Sequence, residues 1–260
     1  MILCIDIGNT NIVIALNKDN SWTNAFRYET KNNQPIFFYE QALRSIFLEW
    51  EIPLSACKHI CISCVVPELK RIIEDAVINV TGNDPLVIDS STYPLIDMHI
   101  PLHQEIGSDL VCNAYATLQR CTSPCMVIDF GTALTFTLIS REKGIFGVTI
   151  APGIKSAIHA LDQETALLPA VPLELPPSAI GHNTVTAIQS GILWGYVGLV
   201  NGLIDKIESE LGEKVDITVT GGLSAILSPV MPRLQNLDKM LTLDGMRLIY
   251  HHLQTKNAIG

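Results

Sequence analysis

The sequence predicts a duplicated α/β architecture: two mixed sheets, each flanked by helices, built from two similar halves at 1–122 and 123–260. Three observations carry this. Apolar strands followed by helical stretches occur twice in the same order. The run Cys4-Ile5-Asp6-Ile7-Gly8-Asn9-Thr10 is matched half a chain later by Val127-Ile128-Asp129-Phe130-Gly131-Thr132, and a repeated apolar-Asp-x-Gly at the same place in two halves marks a duplicated unit. The 260 residues are 48% hydrophobic and 17% charged, which allows a large core and argues against disorder.

The elements follow in order. MILCIDIG and NIVIAL read as strands around a Gly-Asn-Thr turn, and SWTNAFRYE as a third,. A helix is expected over 34–49, where Ala42, Leu43, Ile46 and Phe47 make an apolar stripe,. A strand over 60–66, a helix opening at Pro67 and a short strand at 86–88 complete the first half,. In the second half, PCMVIDFG, ALTFTLIS and IFGVTIAP read as three strands. A helix over 154–161, a Pro-rich loop through Ala179, a long helix over 184–211 and the strand VDITV follow. The chain ends in a further helix carrying His251 and His252, expected at the surface.

The long helix is apolar on all sides between Gly191 and Val200, and Gly191, Gly195, Gly198 and Gly202 recur along it. A helix buried all round with small residues at such spacing calls for another helix close by. A dimer contact and an interdomain contact meet that need equally.

The net charge of −9 excludes a nucleic-acid backbone as the expected partner, because phosphate contacts need clustered Lys and Arg. No apolar stretch is continuous enough to predict a membrane span, and no basic leader precedes the apolar N-terminus,. The seven cysteines are odd in number and form no disulfide framework,. The expected compartment is therefore the cytoplasm. Cys61 and Cys64 have CxxC spacing but lie in a β-branched strand, which favours packing over redox or zinc chemistry,. His99 and His103 flank Pro101, which argues against a helical metal pair.

The chemistry lies in the turns. A strand–turn–strand with Gly at the bend lets backbone amides approach a phosphate with no Cβ in the way. The Asp before each bend, Asp6 and Asp129, can hold a hydrated cation against phosphate oxygens. Without cations the two carboxylates would repel a polyanion. Thr220-Gly221-Gly222 follows a strand and opens an expected helix, and its paired Gly admits a flat ring or a ribose. No GxxxxGK[ST] or GxGxxG occurs, which excludes a P-loop and a Rossmann fingerprint.

The DxGNT at Asp6, the DFGT at Asp129 and the TGG at Thr220 resemble the phosphate-1, phosphate-2 and adenosine motifs of the acetate kinase, sugar kinase, Hsp70 and actin superfamily. With SCVVPEL from Ser63, Gly107-Ser108-Asp109, IAPGI from Ile150 and GHNTVTAIQSGI from Gly181, the chain resembles type III pantothenate kinases from end to end. The resemblance implies an actin-like (ribonuclease H-like) fold with ATP in a cleft between the halves. It implies transfer of the ATP γ-phosphate to pantothenate, giving 4′-phosphopantothenate at the start of coenzyme A synthesis.

By the same resemblance, Asp6, Ile7, Gly8, Asn9, Thr10, Asn11, Ile12 and Val13 wrap the ATP phosphates, with Thr132, Gly221 and Gly222 completing the nucleotide site. Asp6 holds magnesium through water, and Asp129 a monovalent cation, potassium or ammonium. Asp109 is the general base, within a substrate turn of Gly107, Ser108, Asp109 and Leu110. Thr184 reaches pantothenate from the partner subunit of a homodimer.

Two positions depart from the family pattern. Leu110 stands where the family usually has an Arg, which would suit the substrate carboxylate as a bidentate donor. Thr137 stands where an Asp is usual. Alternatives are a kinase of another small hydroxy acid or sugar, and a catalytically silent regulatory relative. Retention of Asp6, Asp109 and Asp129 argues against the latter.

Overall fold

The computed structural model describes residues 1–121, 124–164 and 171–257. The chain divides into two compact units, Met1–Ala116 with Met240–Gly260, and Thr117–Lys239. The division expected at 122/123 falls on residues outside those described. The C-terminal helix Leu241–Asn257 belongs to the first unit, not to the second half in which the sequence division placed it. The reason is burial: its Leu243, Met246, Ile249, Tyr250 and Leu253 are core residues, and Cys61 Sγ donates to its Met246 carbonyl at 3.7 Å.

In the first unit, β1 (Ile2–Ile7), β2 (Asn11–Lys18) and β3 (Ser21–Glu29) form an antiparallel meander. Helix α1 (Ile36–Glu49) leads to β4 (Ile60–Cys64), α2 (Pro67–Thr81) and β5 (Leu86–Ile88). The sheet order is β3-β2-β1-β4-β5, with β4 parallel to β1 and β5 parallel to β4. Side chains alternate across a strand, and this decides the two faces. Leu3, Ile5, Ile7, Ile60 and Ile62 pack with Leu43, Ile46 and Phe47 of α1 and Leu69, Ile73 and Val77 of α2. Cys4, Asp6, Cys61 and Ser63 project from the other face. Pro67 opens α2 at a position where its missing N–H costs nothing, and Gly82, at φ 72°, closes it in the left-handed conformation,.

The second unit repeats the plan. β6 (Cys125–Phe130), β7 (Ala133–Ser140) and β8 (Gly144–Pro152) form the meander, and β9 (Asp216–Thr220) lies parallel to β6 in the order β8-β7-β6-β9. β1 and β6 are each six residues long, and each is buried except at its half-buried Asp. The β-bulges match as well, falling at Leu16/Asn17 in one meander and Leu138/Ile139 in the other. Helix α4 (Ile154–Glu164) follows, with part of the Pro-rich stretch outside the described residues.

The long helix is α5 (Thr184–Gln189), a π-helical turn (Ser190–Trp194) and α6 (Gly195–Leu211). Its expected all-round burial is not found. Leu193, Tyr196, Val200 and Ile204 are buried on one face, whereas Gly191, Gly195, Gly198 and Gly202 are exposed on the other. A Cβ built on any of these four glycines meets nothing within 4 Å. As a continuous helix, Thr184–Leu211 is long and apolar enough to cross a membrane by length and composition. Packing accounts for part of that apolarity: one face joins the second unit's core, while the glycine face stays exposed. Gln189 and Trp194 also donate to the carbonyls of Pro172 and Pro176 at 2.8 and 3.2 Å. After β9, the expected helix is a short α7 (Ser224–Leu227) followed by a 3-10 turn.

Candidate active site

In the first unit, Asp6 lies one residue before the end of β1, and the chain reverses through Gly8, Asn9 and Thr10 into β2. The Gly8 N–H donates to the Asn11 carbonyl at 3.0 Å, closing the turn. Thr30, just beyond β3, locks it from outside: its N–H donates to Thr10 O at 2.9 Å and its Oγ1 to Gly8 O at 2.6 Å. Asn9 and Thr10 are exposed, Asp6, Asn11 and Val13 half-buried, and Ile7 and Ile12 are in the core. Ile7 and Ile12 therefore offer a ligand backbone, not side chains.

The second unit builds its turn the same way and one residue shorter. The residue after β8 is Gly153, and its N–H donates to Thr132 O at 3.1 Å, as Thr30 does to Thr10. A Cβ on Gly153 would collide with the carbonyls of Gly131 and Thr132. Ser156 Oγ donates to the same Thr132 carbonyl at 2.9 Å. Asp129 pairs in register with Thr220 of β9, and the chain then turns at Gly221 with φ +92°. A Cβ on Gly221 would stand 2.6 Å from Asp129 Oδ1, so only Gly fits beside this carboxylate. Gly222 is exposed with open space around it.

Asp109 lies in the first turn of α3 (Ser108–Leu118), a helix that sequence patterning did not reveal. The Leu110 N–H donates to Asp109 Oδ1 at 2.8 Å. Burial pushes the Asp109 carboxyl above its ordinary value of 3.8, and its backbone hydrogen bonds pull in the other direction. Gly107 is small for a reason, since a Cβ there would occupy the place of Asp109 Oδ1. Ser108 is 3% exposed, and its Oγ lies 2.9 Å from Oγ of Ser63 on β4, which is fully buried. Leu110 is half-buried on the same helix. The far side of α3 packs on the C-terminal helix: Gly245 meets the Cys112 carbonyl with no room for a Cβ, and Thr242 Oγ1 donates to Asn113 Oδ1 at 2.8 Å.

Thr184 is exposed at the start of α5, next to a capping box in which Asn183 Oδ1 accepts the Thr186 N–H at 2.9 Å. Gly181 packs against the Ala187 backbone with no space for a side chain. The motif GHNT is thus a helix start held rigidly, with Thr184 free of the cap itself.

The other polar residues have structural surroundings. Cys61 is fully buried, and burial pushes the Cys64 thiol up to about 11, so neither is a ready nucleophile. His103 stacks edge-on against Tyr93. His251 is exposed, but His252 is half-buried against the Tyr115 ring, a departure from the surface position expected for it. Thr137 on β7 is fully buried, and its hydroxyl has no hydrogen-bond partner. Sequence reasoning missed Thr30 and Ser156, and it quoted Ser63 and Gly153 within motifs without giving either a role. The duplication held a signal for Thr30 and Gly153, which occupy the same place after the third strand of each unit.

Known proteins resemble this chain along nearly its whole length. The family model for type III pantothenate kinase matches residues 2–206. A type III pantothenate kinase of Exiguobacterium sp. is 33% identical over 254 residues, covering 98% of this chain and 100% of the relative. The enzyme of Moorella thermoacetica is 34% identical over 250 residues, covering 96% and 98%. Among solved structures, the ethanolamine utilization protein EutJ from Carboxydothermus hydrogenoformans aligns with a TM-score of 0.51 at 13% identity, covering 95% of this chain and 89% of that one. The activator of 2-hydroxyisocaproyl-CoA dehydratase from Clostridium difficile aligns with a TM-score of 0.53 at 8% identity, covering 99% and 97%. These two likenesses concern the fold alone, which is the actin-like ATPase fold. With the family model spanning most of the chain and relatives aligned end to end, the chain belongs to the type III pantothenate kinase family, whose members phosphorylate pantothenate in coenzyme A biosynthesis.

Proposed function

We propose that Asp109 is the general base of this pantothenate kinase, and the observation carrying the assignment is its carboxylate. Gly107 leaves room for it, Leu110 N–H orients it, and burial raises its proton affinity. A carboxylate shifted upward toward the working pH is a better acceptor of a hydroxyl proton. Asp109 takes the proton as the pantothenate oxygen bonds to the γ-phosphorus. The bond from that phosphorus to the β,γ-bridging oxygen breaks, and ADP leaves with its electron pair.

Asp6 through Val13 contact the ATP phosphates, with Asn9 and Thr10 supplying exposed donors and the core residues Ile7 and Ile12 only backbone. Thr132 adds a phosphate contact, and Gly221 and Gly222 border the adenosine. The oxygen donors at Asp6 suit magnesium, and the carboxylate of Asp129 beside the Gly221 turn suits potassium or ammonium. These cations supply charge neutralisation when bound. Gly107, Ser108 and Leu110 form the pantothenate turn.

The working form is a homodimer in the cytoplasm, in which Thr184 serves the partner's pantothenate site. The exposed stripe Gly191, Gly195, Gly198 and Gly202 supports a close helix contact, and seven free cysteines, most of them buried, suit a reducing compartment,.

The test is Asp109→Asn, which keeps size and the Leu110 hydrogen bond but removes the basic oxygen. Turnover should fall roughly 10²- to 10⁴-fold with ATP affinity unchanged; wild-type turnover would reject the role. Activity should vanish on magnesium chelation and rise when potassium replaces sodium at fixed ionic strength.

A further inference from the structure

We infer that Ser63 is a positioning residue for phosphoryl transfer, acting through Ser108 to fix Asp109 relative to the strand that carries Asp6. The inference rests on the reading of Asp109 as the base. Ser63 is the register partner of Asp6 across the parallel pair β1–β4, so both side chains leave the same face of the sheet. Its hydroxyl lies 2.9 Å from that of Ser108. The two residues are 0% and 3% exposed, which leaves neither hydroxyl facing solvent.

The joint links the sheet to the first residue of α3, and the next residue is Asp109. Asp109 can therefore shift along the sheet only if this buried hydrogen bond lengthens or breaks. The other side of α3 is already closed by backbone contact with Gly245 and by Thr242. Ser63 thus ties the end of the helix where the base lies to the sheet, beside Tyr93, whose hydroxyl donates to the Ile106 carbonyl at 3.2 Å just before the helix. Ser108, assigned to substrate by its place in the turn, also commits its hydroxyl to this joint. Misplacement of a reacting group by about 1 Å can cost roughly 10²-fold in rate, and an error of that size is what a broken joint permits.

The experiment compares Ser63→Ala, Ser63→Ala/Ser108→Ala, Asp109→Asn and Ser63→Ala/Asp109→Asn in the full-length protein, by kinetics and thermal melting. Ser63→Ala should lower kcat by roughly 10- to 100-fold while KM for ATP stays within about threefold. It should also lower Tm, because Ser108 is left with an unpaired buried hydroxyl. The Ser63→Ala/Ser108→Ala protein removes both partners and should recover Tm but not kcat, a split that a purely structural role cannot produce. In the Asp109→Asn background, Ser63→Ala should reduce kcat no further, since the group it positions is gone.

A Ser63→Ala enzyme with kcat within twofold of wild type overturns the inference. So does a double alanine variant that regains kcat with Tm, or an effect that multiplies with Asp109→Asn. If Ser63→Ala does not fold, the double alanine variant decides alone. An Asp109→Asn enzyme of wild-type activity refutes the base assignment instead, whatever Ser63→Ala does.

Discussion

Replacing Gly221 by Ala tests how tightly the turn after β9, which we assign to the nucleotide site, is built. The backbone there has φ +92°, and an ideal Cβ would stand 2.5 Å from both N and C of Phe130 and 2.6 Å from Asp129 Oδ1. Ordinary contact begins at 3.4 Å, so the approach is about 0.9 Å too close. The two nearest obstructing atoms are Phe130 main chain, and β6 is held on both sides by β7 and β9, so it cannot swing away as a side chain could. Overpacking of this kind costs about 1–3 kcal/mol, and the left-handed conformation adds about 1–2 kcal/mol for a residue with a Cβ. The expected loss is on the order of 10 °C in Tm. A displacement near 1 Å beside Asp129 should also lower turnover by about 10²-fold, with a weaker response to potassium. Gly222→Ala is the matched comparison, because a Cβ there meets nothing within 4 Å. It should melt close to wild type yet raise KM for ATP. A Gly221→Ala enzyme that melts within about 2 °C of wild type with normal kcat would refute the reasoning.

Other outcomes follow from single residues. Burial raises the Asp109 pKa above 3.8, so the folded protein keeps a proton that the unfolded chain has lost. Stability therefore falls as pH rises from 3.8 through the raised folded value. Asp109→Asn should melt higher than wild type at neutral pH and equal to it below pH 3.8; equal melting at neutral pH would contradict the burial argument. Thr137→Val removes a buried hydroxyl without a partner and should stabilise by about 1 kcal/mol, read as a higher urea midpoint. Leu110→Arg should lower KM for pantothenate by about 10- to 100-fold, the scale of a hydrogen bond to a charged group, and leave KM for the uncharged amide analogue unchanged. Equal changes for both substrates would remove the carboxylate from the explanation.

The order of strands and the two Asp-Gly turns were legible in the sequence because they are local. β1 and β6 announce themselves as apolar runs interrupted by one Asp, and their turns need Gly at the bend. Helix α3 was not legible: SDLVCNAYATL has no strong apolar stripe because it is enclosed on more than one side, by β4 at Ser108 and by the C-terminal helix at Cys112. The long helix misled in the opposite direction, since its composition is apolar all round while its glycine face is exposed in the folded chain.

The sequence by itself determined the duplication and the strand order within each meander, and with the family resemblance it supplied Asp6, Asp109 and Asp129 as the proposed chemistry-bearing set. Tertiary structure alone decided what holds them. Thr30 and Gly153 close the turns from a third strand, Gly221 makes room beside Asp129, and Ser63 meets Ser108 across 45 residues. The C-terminal helix returns to the first unit for the same reason. Periodicity reports which face of an element is apolar, but not which distant surface will cover it, because that choice is made by shape and by the pairing of buried polar groups.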